Sequence, residues 1–96
     1  MSILDMIYEK KDEILLIAFE YGVNKIQLFG STSRREDTKD SDIDFLVNLD
    51  DDRSLFDLIG FKYSLEEIFD KKVDVVTIDS LHKDIKESVL KEIIEI

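Results

Sequence analysis

"LFGSTSRREDTKDSDIDFLV", residues 28–47, decides how the chain folds. One apolar run ends in Gly30-Ser31, a polar stretch follows, and a second apolar run begins behind Asp42 and Asp44. Two short apolar runs parted by turn residues read as two strands of one sheet. The first strand is "NKIQLFG", 24–30, and the second is "DIDFLVNL", 42–49, which is nearly continuously apolar after Asp44, as suits a strand covered on both faces. Residues 31–37 between them read as a turn or a short helix.

Upstream, Ile3, Met6, Ile7, Ile14, Leu15, Ala18 and Phe19 recur near helical spacing and predict a helix over 3–21. Ser2 with Asp5 forms its cap, and Gly22 stops it. Downstream, 50–53 is a loop, and Ser54 with Asp57 caps a helix that runs to Phe69 and is open to a break at Gly60. "KKVDVVTI", 71–78, is a third strand. Residues 80–96 are expected to form a closing helix with Ile85, Val89, Ile93 and Ile96 along one side. The expected architecture is α/β of the α+β type, a small mixed sheet of three to four strands packed against helices, in one domain over 1–96.

Composition narrows the function classes. Ninety-six residues with a formal net charge of −10 and only scattered Lys and Arg disfavour direct nucleic-acid binding, because phosphates would meet like charge. A metal ion or a basic protein suits such a surface better. With no cysteine, disulfides, zinc thiolate sites and thiol catalysis are excluded. No apolar run approaches membrane-spanning length and "MSILDMIYEKK" lacks the pattern of a signal peptide, so a cytoplasmic location with no membrane partner is expected.

Asp42 and Asp44 raise the chemical question. Residues two apart on a strand point to the same face, roughly 6.5–7 Å apart. Two carboxylates held side by side repel, and a hard divalent cation relieves that repulsion. Asp74, alone among valines in "VDVVT", offers a third. Three carboxylates on adjacent strands can hold a two-metal site for phosphoryl or nucleotidyl transfer. A solvated acidic turn is the competing reading of the same spacing. An EF-hand is not, because Phe45 stands where the loop needs glycine and Asp51 where it needs glutamate. Gly30-Ser31, ten residues before the aspartates, exposes backbone N–H groups and a hydroxyl suited to phosphate.

Together these residues resemble the signature of the minimal nucleotidyltransferases, a branch of the DNA polymerase β-like superfamily. That signature reads Gly-Ser, any residue, Ala-Arg-Gly, a spacer, then Ser-Asp-x-Asp-Leu and a β-branched residue. Gly30, Ser31, Arg34, Ser41, Asp42, Asp44 and Val47 match it, and "VDVVT" around Asp74 matches the strand of the third carboxylate. Ser33, Arg35 and Phe45 depart from it, Arg35 most consequentially, since it replaces a glycine near the phosphates.

The resemblance implies the nucleotidyltransferase fold, with Asp42, Asp44 and Asp74 as catalytic, metal-holding residues. Gly30, Ser31, Arg34 and Ser41 would bind the nucleotide. It implies a two-metal Mg²⁺ site, with Mn²⁺ as an alternative, and a nucleoside triphosphate donor, ATP. Its stand-alone members resemble antitoxins that pass AMP to a hydroxyl of a partner HEPN toxin. Two alternatives stay open: an antitoxin that neutralises by binding alone, and a transferase acting on a small molecule such as an antibiotic. The apolar C-terminal edge around Ile93, Ile94 and Ile96 offers a surface for a partner or a second copy.

Overall fold

A computed structural model describes residues 3–30, 42–81, 83–91 and 93–96. Their order is α1 (Ile3–Glu9), α2 (Lys11–Tyr21), β1 (Val23–Phe29), β2 (Ile43–Leu49), α3 (Leu55–Phe69), β3 (Val73–Thr77), α4 (Lys83–Lys91) and β4 (Ile94–Glu95), with a 3₁₀ turn at Ile78–Ser80. The strands form one mixed sheet in the order β3-β2-β1-β4. β1 runs antiparallel to β2 and β4, whereas β2 and β3 are parallel, joined by the crossover through α3.

Alternation along β2 sorts the sheet into two faces. Ile43, Phe45 and Val47 join Ile26 and Leu28 of β1 and Val73 of β3 against Phe61, Leu65 and Phe69 of α3 and Ile7, Ile14 and Ala18 of α1 and α2. That face is the core. Fully burying each of these large side chains contributes about 1.5–3 kcal/mol. Asp44, Leu46 and Asn48 fall on the opposite face.

Two expected elements differ. The helix over 3–21 is interrupted at Lys10, whose backbone (φ −99°, ψ 14°) leaves the helical basin between α1 and α2. The turn stays hydrogen-bonded across the interruption, Lys10 N–H donating to Met6 O and Ile14 N–H to Lys10 O. It lets both short helices aim apolar residues at the same core. The closing helix ends at Lys91, and the chain then extends as β4, pairing Ile94 with Leu28 and Glu95 with Gln27. Capping the open edge of β1 satisfies strand groups that a longer helix would leave bare.

Other expectations hold. Gly22 closes α2 with φ +74°, its N–H bonded to Ala18 and Phe19 carbonyls. Ser54 and Asp57 form a complete capping box. Gly60 does not break α3; it lets Tyr21 of α2 pack close, since a Cβ there would lie 2.5 Å from the Tyr21 ring. The expected Ser2 cap lies outside the described residues.

Candidate active site

Asp44 and Asp74 are direct neighbours in the parallel register of β2 and β3. Adjacent strands lie about 4.8 Å apart and paired residues share a face, so the two carboxylates leave the sheet side by side. On the other flank Asp44 pairs with Phe29, the last residue of β1, which places Gly30 beside it. A Cβ on Gly30 would lie 2.6 Å from Asp44 Oδ2, and Gly30 has φ +75°. The glycine is thus required twice, by backbone conformation and by the approach of a carboxylate oxygen.

Asp42 stands just ahead of β2 rather than within it, at the same end of the sheet. Its Oδ2 lies 4.0 Å from Lys72 Nζ, and Ile43 N–H donates to Lys72 O at 3.1 Å, tying the entries of β2 and β3 together. Sequence spacing placed Asp42 and Asp44 on one strand face. The fold puts Asp74 on the adjacent strand beside Asp44, as expected of the third carboxylate, and Asp42 one residue ahead of β2.

Electrostatics follow from this arrangement. Partial burial, then Asp74, then Asp42 push the Asp44 carboxyl up to about 6. Each cause disfavours negative charge at that position. The expected convergence of three carboxylates is not met in full: among the described residues no group of three acidic side chains is gathered closely enough to hold a metal ion, and the close pair is Asp44 with Asp74. The hard carboxylate oxygens of Asp44 and Asp74, partly withdrawn from water and set beside like charge, are donors that fit a divalent cation.

Two residues near the site carried no sequence signal. Glu66 Oε2 accepts the Val73 N–H at 3.0 Å, fixing the backbone next to Asp74. Gln27 is 5% exposed on the Asp44 side of the sheet, and its Oε1 accepts no hydrogen bond among the described residues. Ser31, Arg34, Arg35 and Ser41 lie outside the described residues, so the phosphate-binding assignments among them rest on sequence. A groove of about 580 Å³ opens at the other end of β1, between Leu15, Phe19, Lys25 and Ile96. Its charged lining residues, Lys25, Asp50, Arg53 and Glu95, are of mixed sign, unlike the carboxylates around Asp44. Among the described residues no helix is long and apolar enough to cross a membrane.

Comparison with known proteins agrees with this geometry. Residues 11–96 match the family model described as nucleotidyltransferase domain. A relative in Methanocaldococcus jannaschii, assigned as a protein adenylyltransferase, is 41% identical over 90 residues, covering 94% of this chain and 97% of that one. Protein adenylyltransferase MntA of Thermococcus cleftensis is 38% identical over 74 residues, 77% of this chain and 75% of its own. A solved structure described as a minimal nucleotidyltransferase superposes with a TM-score of 0.88 at 31% identity, covering 100% of this chain and 97% of the other. A toxin–antitoxin structure with AMP-PNP shares the fold at a TM-score of 0.74 and 23% identity, covering 88% of this chain and 70% of that one.

Proposed function

The chain belongs to the nucleotidyltransferase-domain family, and from that premise we propose that it transfers AMP from ATP to a hydroxyl of a partner protein, a HEPN-type toxin that it thereby neutralises. Residues 1–96 act as one nucleotidyltransferase domain in this reading. The observation that carries it is the Asp44–Asp74 register beside Gly30. Support for a protein acceptor comes from the relatives in M. jannaschii and T. cleftensis named as protein adenylyltransferases. The net charge of −10 would complement a basic, RNA-binding toxin.

Asp42, Asp44 and Asp74 would hold the divalent cations, Mg²⁺ in the first instance. When bound, these supply positive charge against the phosphates. The chain's own groups do the rest. Gly30 keeps the space in front of Asp44 open, and Gly30 and Ser31 hold the β- and γ-phosphates. Asp74 accepts the proton of the acceptor hydroxyl as its oxygen attacks the α-phosphorus. The bond from the α-phosphorus to the bridging oxygen breaks, and pyrophosphate leaves with that electron pair. Positioning two reactants in line in this way accounts for much of such a rate enhancement.

The test is incubation of the purified chain with Mg²⁺, α-labelled ATP and the product of the neighbouring gene. Label on that protein, lost with Asp44→Asn, is the expected result. Neutralisation of the toxin that persists in an Asp42→Asn, Asp44→Asn double variant would instead assign inhibition to binding alone.

A further inference from the structure

Helix α3 buries one face and leaves the opposite one apolar. Phe61, Leu65 and Phe69 lie in the core. On the outer side Leu55, Ile59 and Tyr63, spaced four apart, are 71%, 46% and 62% exposed, and Phe56 beside them is 86% exposed. Single exposed apolar residues are ordinary, but four large ones on one helical stripe are a mark of an interaction surface. Their spacing is the anchor pattern of a helix laid into an apolar groove.

Charge identifies the occupant. Exposed Asp51 and Asp52 precede the stripe, whereas at its far end Glu67 and Asp70 are offset by Lys71 and Lys72. The last turn of α3 carries no basic residue, so its partial negative charge adds to that of Glu67 and Asp70. At the near end Arg53 is engaged by Asp57 and the Glu20 carbonyl. Lys62 lies over the Tyr63 ring, 5.9 Å from its centroid, at one flank only. A second copy would bring the same acidic near end and another −10 of net charge, which opposes self-association. A basic protein would meet complementary charge at the near end, where Asp50, Asp51 and Asp52 lead into the stripe, and across a chain of net charge −10.

We propose that the outer face of α3 docks the basic partner protein, with Leu55, Phe56, Ile59 and Tyr63 seated in an apolar groove rimmed by Lys or Arg. This rests on the partner-protein reading above and adds the place of contact. Because α3 covers the core face of the sheet while Asp44 and Asp74 occupy the other, this contact is distinct from the one by which another segment of the partner presents its hydroxyl to the carboxylates. Grip and transfer are therefore separable.

The experiment measures affinity of the full chain for the purified product of the neighbouring gene, by calorimetry at low and high salt. Phe56→Ser with Ile59→Ser is expected to weaken binding at least tenfold, and Tyr63→Ser alone by several-fold. Leu16→Ser, which alters a side chain 72% exposed on α2, is expected to leave it unchanged. Asp44→Asn is expected to bind like the parent while failing to transfer AMP. Unchanged affinity in the double variant, with a normal thermal melt, overturns the proposal. So does sedimentation of the chain alone as a dimer that the double variant dissolves, which would assign the stripe to self-association. If AMP reaches the partner yet the stripe is dispensable, the transferase reading stands and the docking site falls; stripe-dependent binding without transfer gives the reverse.

Discussion

Glu66 Oε2 accepts the amide of Val73 at 3.0 Å, so a helix side chain holds the backbone immediately before Asp74. Asp74 lies on β3, which among the described residues is an edge strand paired only with β2. The bond fixes the entry of that strand against α3. Glu66→Gln keeps an acceptor and should change little. Glu66→Ala leaves the Val73 N–H without it, and a loss of about 1–2 kcal/mol of stability is expected. Chemical denaturation measures the loss, and a lower kcat with nearly unchanged KM would show Asp74 displaced.

Asp44 gives a stability prediction with a definite sign. Its folded carboxyl titrates near 6, above the ordinary aspartate value, so the folded state binds the proton more tightly than the unfolded state does. The proton's stabilising effect is complete below about 4 and is lost as pH rises through about 6. Solvent screening reduces the conversion to about 1 kcal/mol for a group this accessible. In metal-free buffer Asp44→Asn should melt several degrees higher than the parent at pH 7.5 and show no such gain at pH 4. A constant difference across that range would contradict the carboxylate crowding.

Adding Mg²⁺ should reverse the ranking. Cation binding by the parent opposes the same repulsion, so its melting temperature should rise with Mg²⁺ concentration. Asp44→Asn should respond little. Chelation with EDTA should return the parent to its starting value.

Gly30→Ala tests the close approach directly. The new methyl would meet Asp44 Oδ2 at 2.6 Å on a backbone with positive φ. Backbone strain alone costs on the order of 1–3 kcal/mol. Nucleotidyl transfer should fall more than tenfold, because the obstruction forces Asp44 aside. Gly60→Ala makes a useful contrast, since its methyl would press on the Tyr21 ring at 2.5 Å, on the helix side of the sheet. It should cost stability without a specific loss of transfer.

Much of this was legible in the residues. Alternating and continuous apolar runs marked the three main strands, and Ser54 with Asp57 marked the start of α3. The interruption at Lys10 was not legible, because neither Gly nor Pro stands there and both short helices share one apolar period. β4 escaped for a different reason: "IIEI" suits helix or strand equally, and the unpaired edge of β1 decides. At the site, the grouping of Asp44 with Asp74 on adjacent strands was readable but their register was not. The side-by-side pairing of Asp44 with Asp74 depends on a parallel register that no local pattern encodes. Glu66 and Gln27 left no mark at all, since their roles exist only across the folded sheet.

The parallel pair also sets when the site comes into being. Asp44 and Asp74 become neighbours only after the 15-residue helix α3 has been laid across the core and β3 has zipped onto β2. Such a long-range closure is an entropically costly step in folding. A chain emerging from the ribosome therefore lacks the Asp44–Asp74 pair until β3 is free. The two carboxylates meet only as the last turn of the crossover is completed.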